Sequence, residues 1–310
     1  MDSLTVATRG GDLALAQTRM VISEIEKTCP GLHVEIKKIT TKGDNDRRTA
    51  LWDLKDSGFF TAQVEDTLLA KEADFAVHSF KDMPTFQSKG LTVAAVFQRR
   101  FVEDCLIANG SISSIEQIKT SARVGTSSLR RAVQMKRLRN DLQILPIRGN
   151  VPTRLRHLDE GKFDAIILAR AGLERLGLSK RISICFDPDI FVPAAAQGAL
   201  AIQAREDNMV VNEKLKMIDD KTARITACAE RRVLDVMQCG CHAPVGVFAR
   251  IENNDIRISA FISDAQGNDY IKKEIEGSVE QTDDLAEKLA IELLDSGGKD
   301  ILSKLKNDRN

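Results

Sequence analysis

Apolar and polar positions along the first two hundred residues fall into two alternating kinds of run. Short β-branched and aliphatic stretches (LTVAT, VEIKKI, DFAVH, TVAAVF, CLIA, ARVG, QILPI, DAIILA, ALAIQA) predict strands. Between them, stretches such as LALAQTRMVISEIEK and AQVEDTLLAKE repeat their apolar residues every three or four positions, the period of an amphipathic helix. Strand and helix in alternation predict an α/β chain with largely parallel sheets, and two sheets fit the length better than one. After about Asp207 the pattern changes. Helical EKLKMIDD and TARITACAERRVLDVM precede three alternating strands, PVGVFARI, DIRISAFIS and YIKKEIEG, and a last helix, TDDLAEKLAIELL, which together predict a small α+β domain. The end of the chain, KLKNDRN, is expected to fray.

Composition narrows the function classes. A chain of 310 residues that is 43% hydrophobic and 29% charged is that of a folded protein of two or three domains. No apolar run reaches transmembrane length, and MDSLTVATRG shows no basic leader followed by an apolar stretch, so a cytoplasmic location away from membranes is expected. Zero net charge gives no global pull toward nucleic acid, and one Trp and one Tyr leave few rings for base stacking. The charge is uneven, however: Arg123 to Arg175 holds ten Arg and two Lys against five acids, +7 in all. That region is suited to holding anions.

The basic residues fall just after predicted strands, where open parallel sheets form their ligand crevice. Arg9 follows LTVAT and precedes Gly10-Gly11-Asp12, with Asp12 placed to cap the next helix. VGTSSLRR runs from a strand through small hydroxyl residues into a helix, so that backbone N–H groups converge with Arg130 and Arg131. IRGNVPTR puts Arg148 at a strand end, Asn150 as N-cap, Pro152 in the first turn and Arg154 near that helix start. Arg175, in AGLERL, adds another planar fork of donors suited to carboxylates. Any one of these arginines could be a solvated surface charge; a group at successive strand ends is harder to dismiss. ADFAVHSFKDMP gives a buried strand, then His78, Ser79, Lys81 and Asp82, with Pro84 pushing Met83 into an extended conformation. Asp82 there can stabilise a developing positive charge or pass protons, unless it is only a turn residue. His78 reads as a packing residue.

QCGCHAPVG (238–246) concentrates chemistry in nine positions. C-x-C-H is too tightly spaced for four tetrahedral ligands, with no second pair elsewhere, so no metal is expected. Nor is it the C-x-x-C redox motif. A loop thiol, opened by Gly240 and closed by Pro244 and Gly246, is left beside the plainer alternative of an inert small cysteine. The other cysteines are expected to be mostly core residues.

Taken together, HSFKDMP, GTSSLRR, RGNVPTRL, DAIILARAGLERL, PAAAQGALAI and GCHAPVG resemble the signature segments of the hydroxymethylbilane synthase, or porphobilinogen deaminase, family, in the family's order and spacing, from Thr5 to about Gly267. The resemblance implies a fold of two α/β domains similar to type II periplasmic binding proteins, 1–97 with 199–216 and 98–198, plus a small α+β domain, 217–310. It implies a dipyrromethane cofactor held by a thioether bond to Cys241. On that cofactor four porphobilinogen units would be condensed head to tail with loss of ammonia, and hydrolysis would release hydroxymethylbilane. Arg9, Arg130, Arg131, Arg148, Arg154 and Arg175 match the family's carboxylate-binding positions. Ser79, Lys81, Thr126, Ser127 and Ser128 would add donors, Gln197 would lie at the crossing back to the first domain, and Asp82 would stabilise the cationic azafulvene. A monomer is expected, with no nucleic-acid or membrane partner. The chain departs from the family at Gly11, where a serine is usual; at Asp53 and Ser57, where the active-site loop usually carries lysines, with Lys55 nearby; and at Phe101-Val102-Glu103-Asp104, in place of Asp-Pro-Arg-Asp. A diverged binding protein for a small polycarboxylate or pyrrole is the competing function, and it would need neither Cys241 nor Asp82.

Overall fold

The computed structural model describes residues 3–41, 61–239 and 243–307. These residues divide into two units: 3–41, 61–100 and 198–225 form the first, and 101–197, 226–239 and 243–307 the second.

The first unit is built on a five-stranded sheet. Its strands are β1 (Ser3–Arg9), β2 (His33–Ile39), β3 (Phe75–Ser79), β4 (Leu91–Phe97) and β10 (Leu200–Arg205), in the order β2-β1-β3-β10-β4. β1 runs parallel to both β2 and β3, whereas β10 is antiparallel to β3 and β4. Successive side chains of a strand point to opposite faces, so each face needs its own cover. Helices α1 (Asp12–Thr28) and α6 (Met209–Lys216) cover one, burying Val21, Ile25, Val211 and Leu215 against Leu4, Val6, Phe75 and Ile202. Helix α2 (Ala62–Leu69) covers the other, with Val64 and Leu68 against Ala7, Ala76 and Leu91.

The second unit repeats that plan. Strands β5 (Asp104–Ala108), β6 (Arg123–Gly125), β7 (Gln143–Leu145), β8 (Ala165–Ala169) and β9 (Ile184–Cys185) lie in the order β7-β6-β8-β5-β9. β6 is parallel to β7 and β8, and β5 is antiparallel to β8 and β9. Helix α3 (Leu129–Leu138) buries Met135 on one face, while α4 (Val151–Asp159) and α5 (Arg170–Arg175) bury Leu155, Leu158 and Leu173 on the other. Counted along the runs β1–β4 and β6–β9, the first strand lies between the second and third, and an antiparallel strand from outside the run, β10 or β5, separates the third from the fourth. This is the type II periplasmic-binding-protein order, twice. The expectation of largely parallel sheets holds in each sheet: four of the five strands point the same way, and only β10 in the first sheet and β5 in the second, which enter from outside the βα run, point the other way.

The remainder of the second unit is the expected α+β element. Helix α7 (Lys221–Val236), which enters the second unit at Thr226, leads to an antiparallel sheet of β11 (Val245–Glu252), β12 (Asp255–Ser263) and β13 (Tyr270–Ser278), followed by α8 (Thr282–Leu293) and α9 (Lys299–Asn307). α8 buries Ala286, Leu289, Ala290 and Leu293. Helix α9 carries the backbone through Asn307, so the fraying expected from Lys304 does not begin there.

Candidate active site

In the first unit β1 and β3 are parallel neighbours, so their carboxyl ends reach one edge of the sheet. Arg9 closes β1, Ser79 closes β3, and a single 3-10 turn, Phe80–Asp82, follows. Pro84 keeps Met83 out of the helical region, and Met83 is extended at φ −78°, ψ 142°. The turn is pinned on both sides. Phe80 is buried and donates its N–H to Ala199 O (3.1 Å), and Met83 is buried and donates to Phe80 O (3.3 Å). Asp82, between these anchors, is exposed and has no hydrogen-bond partner among the described residues. Lys81 is half-buried. Gln17, buried on α1, donates to Ser79 Oγ (2.8 Å) and ties the helix to the turn. The cap of α1 is Gly11 and Asp12 is the first helical residue, so the helix starts one place earlier than the sequence suggested.

His78 is buried, its Nε2 3.2 Å from Gln203 Oε1. Gln203 in turn donates to Glu65 (3.0 Å), which also accepts from Ser88 (2.7 Å). Burial depresses the imidazole to a pKa of about 4; Arg9 acts in the same direction, and Glu65, Gln203 and Asp82 oppose it. At neutral pH His78 is an uncharged packing group, as its sequence context suggested.

The second unit gathers its own set at the carboxyl ends of β6, β7 and β8. After β6, Thr126 donates its N–H to Leu145 O (2.9 Å), and its Oγ1 accepts from the Ser128 N–H (3.2 Å). Ser127 is buried, donates its hydroxyl to Ile147 O and accepts from the Ile147 N–H (3.1 Å). Ser128 caps α3 by position, without a side-chain hydrogen bond to the helix. Arg130 and Arg131, on the first turn of α3, are buried and meet the wholly buried Asp104 at 2.7 and 2.8 Å. Gln197 is also buried, and its Nε2 donates to Val102 O (2.8 Å) and to Asp104 Oδ1 (3.0 Å).

After β7, Gly149 takes φ +103°, and a Cβ there would lie 2.6 Å from Thr153 Cγ2. Only glycine fits that turn. Asn150 caps α4 through its side chain, which accepts from Thr153 N (3.0 Å), with proline at the helix start, as the sequence predicted. Arg154 donates Nε to Gly149 O (2.8 Å). Its pKa is lowered to about 10 by burial and then by the neighbouring Arg131 and Arg148 guanidiniums. Arg154 has no carboxylate partner among the described residues. Arg175 ends α5, half-buried, lowered to about 10 by burial alone. Arg154 and Arg175 both remain charged at neutral pH.

The crossing segment and the small domain meet at a residue that no local pattern marks. Glu230, buried on α7, accepts from the Ala196 N–H and the Ala249 N–H, both at 2.6 Å. Ala196 is held at φ +59°. β11 is fixed further by Val247 N–H to Pro193 O (3.1 Å). Cys239, at the end of α7, is buried and donates its N–H to Leu234 O (3.2 Å). Both approaches to the QCGCHAPVG loop are therefore anchored; Gly240, Cys241 and His242 themselves lie outside the described residues, as do Asp53, Lys55 and Ser57. Of the other cysteines Cys105 is buried, Cys29 is half-buried, and Cys185 and Cys228 are exposed, so fewer are core residues than expected. Asp104, Glu230 and Gln17 were missed as contributors, since each acts through partners distant in the chain.

The departure at 101–104 has its own pairing. Glu103 meets Arg170 (3.2 Å), which also meets Glu174 (3.0 Å), and the Arg170 guanidinium lies 4.7 Å over the Phe101 ring. Among the described residues no group of three His, Cys, Asp or Glu could hold a metal, and no helix is long and apolar enough to cross a membrane.

Two family models match the chain: "Porphobilinogen deaminase, dipyromethane cofactor binding domain" over residues 4–213, and "Porphobilinogen deaminase, C-terminal domain" over 224–295. Curated relatives named porphobilinogen deaminase include that of Natranaerobius thermophilus, 40% identical over 98% of this chain and 99% of its own. The Deinococcus radiodurans protein of that name is 37% identical over 99% of this chain and all of its own. Among solved structures, substrate binding domain 2 of Lactococcus lactis GlnP aligns with 70% of this chain and 87% of its own, at 12% identity and a TM-score of 0.40.

Proposed function

The chain belongs to the porphobilinogen deaminase family, and from that premise we propose how its own residues divide the work. The activity is that of hydroxymethylbilane synthase, a transferase of tetrapyrrole biosynthesis. It condenses four porphobilinogen units head to tail on a dipyrromethane cofactor, with loss of ammonia, and releases the linear tetrapyrrole by hydrolysis.

One observation carries the assignment of residues. Arg131 and Arg148 each lie within electrostatic reach of Arg154, and Arg154 has no acid among the described residues to neutralise it. Each pyrrole brings an acetate and a propionate, and guanidinium forks in a half-buried setting are the matching donors. The cofactor, when bound, supplies the first pyrrole carbon that is extended. Arg148, Arg154 and Arg175 bind its carboxylates and those of the added rings, together with Arg130 and Arg131. Thr126 and Ser128 complete this side, and Ser127 and Gln197 hold the loops that carry it. Arg9, Ser79 and Lys81 orient the incoming monomer. Asp82, exposed and without a competing hydrogen bond, stabilises the positive charge that develops as ammonia departs and moves the proton at the pyrrole nitrogen. Cys241 carries the thioether. We place the domain boundaries at 1–97 with 199–216, 98–198 and 217–310, in keeping with the change of family model between 213 and 224. A cytoplasmic monomer with no nucleic-acid or membrane partner completes the reading.

Intact mass spectrometry tests it. Purified protein is expected to exceed its polypeptide mass by two linked pyrrole units, and Cys241→Ser to run at the bare mass. A wild-type chain that stays unmodified after incubation with porphobilinogen would remove the assignment.

A further inference from the structure

We propose that Asp104 is the positioning residue of the arginine set in the second unit, an inference that rests on the reading of those arginines as carboxylate holders. Asp104 opens β5 and is wholly buried. Its Oδ2 meets Arg130 Nη1 (2.7 Å); its Oδ1 accepts from Arg131 Nε (2.9 Å) and Gln197 Nε2 (3.0 Å) and meets Arg131 Nη2 (2.8 Å). Two main-chain carbonyls finish the clamp: Arg130 Nη1 donates to Val192 O (2.7 Å), and Arg131 Nη1 to Ile167 O (3.3 Å).

A guanidinium has five N–H donors in a fixed plane. These contacts engage Arg130 through Nη1, as a donor to Val192 O and as the ion-pair partner of Asp104 Oδ2, and leave its Nε and Nη2 side. They engage Arg131 through Nε, which donates to Asp104 Oδ1, through Nη2, which pairs with the same oxygen, and through one Nη1 hydrogen, which goes to Ile167 O, leaving the edge between its two terminal nitrogens. Each arginine thus keeps one two-donor edge, the shape that matches a carboxylate, and among the described residues neither edge meets another acceptor. The charges point the same way. One buried carboxylate faces two buried guanidiniums, and Arg154 adds positive charge near Arg131. A pair kept only for the fold would balance its charges, because an uncompensated buried ion is costly. Among the described residues the two guanidiniums share this one carboxylate, and a carboxylate of the bound chain would supply the second anion. Asp104 both fixes the direction of the free edges and offsets enough repulsion to keep two arginines adjacent.

The arginines act on the bound chain and not on the free monomer, so misplacing them should lower kcat and leave KM nearly alone. Wild type, Asp104→Asn and Asp104→Glu are purified, checked for folding by circular dichroism and for the two added pyrroles by intact mass, and assayed with porphobilinogen. The Glu variant keeps the buried charge but shifts both guanidiniums by one methylene. In folded, cofactor-bearing protein, both variants are expected to lose at least about tenfold in kcat, with KM within about threefold, the scale of loss that follows misplacement of a binding group. Wild-type kcat in either folded variant would overturn the proposal. So would failure of both to fold, which would assign Asp104 to the fold alone. An unmodified wild-type chain would instead remove the reading beneath it, a separate result.

Discussion

Asp82 owes its availability to its neighbours in the chain. Phe80 and Met83 are buried on either side of it, Pro84 forbids the turn from continuing as helix, and the carboxylate between them projects without a hydrogen-bond partner among the described residues. An exposed group of this kind contributes little to folding. Asp82→Asn is expected to hold its denaturation midpoint, a change within about 0.5 kcal/mol, and to lose nearly all turnover. Unchanged turnover in the variant would take Asp82 out of the chemistry. Arg130 and Arg131 show the opposite case, because the same residue type at a strand end turns out to be clamped by a buried acid, which only the fold brings near.

At the scale of elements, the cysteine loop depends on how β11 leaves it. Gly246 sits where a Cβ would lie 2.5 Å from the Phe261 ring and 2.8 Å from Val192 O. Phe261 cannot yield easily: it is wholly buried and stacked on Tyr270 at 4.9 Å between centroids, and Arg137 covers the other ring at 4.0 Å. Forcing a methyl group into such a contact costs about 1–3 kcal/mol. Gly246→Ala is therefore expected to lower the urea midpoint of the protein by that amount and to slow cofactor loading, read by intact mass after a timed incubation with porphobilinogen. An unshifted midpoint would mean that β11 can move away from Val192. The sequence marked this glycine as a loop terminator; its actual constraint is the close approach of a strand to the crossing segment.

Across the whole molecule, stability at low pH should reflect His78. Its imidazole binds a proton near pH 4 in the folded chain and near 6.5 when unfolded. The folded state therefore has its full advantage above pH 6.5 and loses it as pH falls toward 4, by roughly 3 kcal/mol in all. Arg139 holds Asp141 down at about 2 by a hydrogen bond, so that contribution disappears only as pH falls from the usual carboxylate range through that value. Urea midpoints at pH 7 and pH 4.5 should differ more for wild type than for His78→Gln; equal differences would place the acid sensitivity elsewhere. What the sequence determined by itself was whatever depends on near neighbours: strand and helix periods, the Asn150 cap, the Pro84 turn, and six segments that together resemble one family. The positions of most strands followed from those local periods. The tertiary structure alone decided which charges are spent. Asp104 reaches Arg130 and Arg131 across about twenty-seven residues, and Glu230 joins α7 to Ala196 and β11, because strand order in a sheet and the packing of a helix upon it juxtapose groups whose separation along the chain carries no signal of contact.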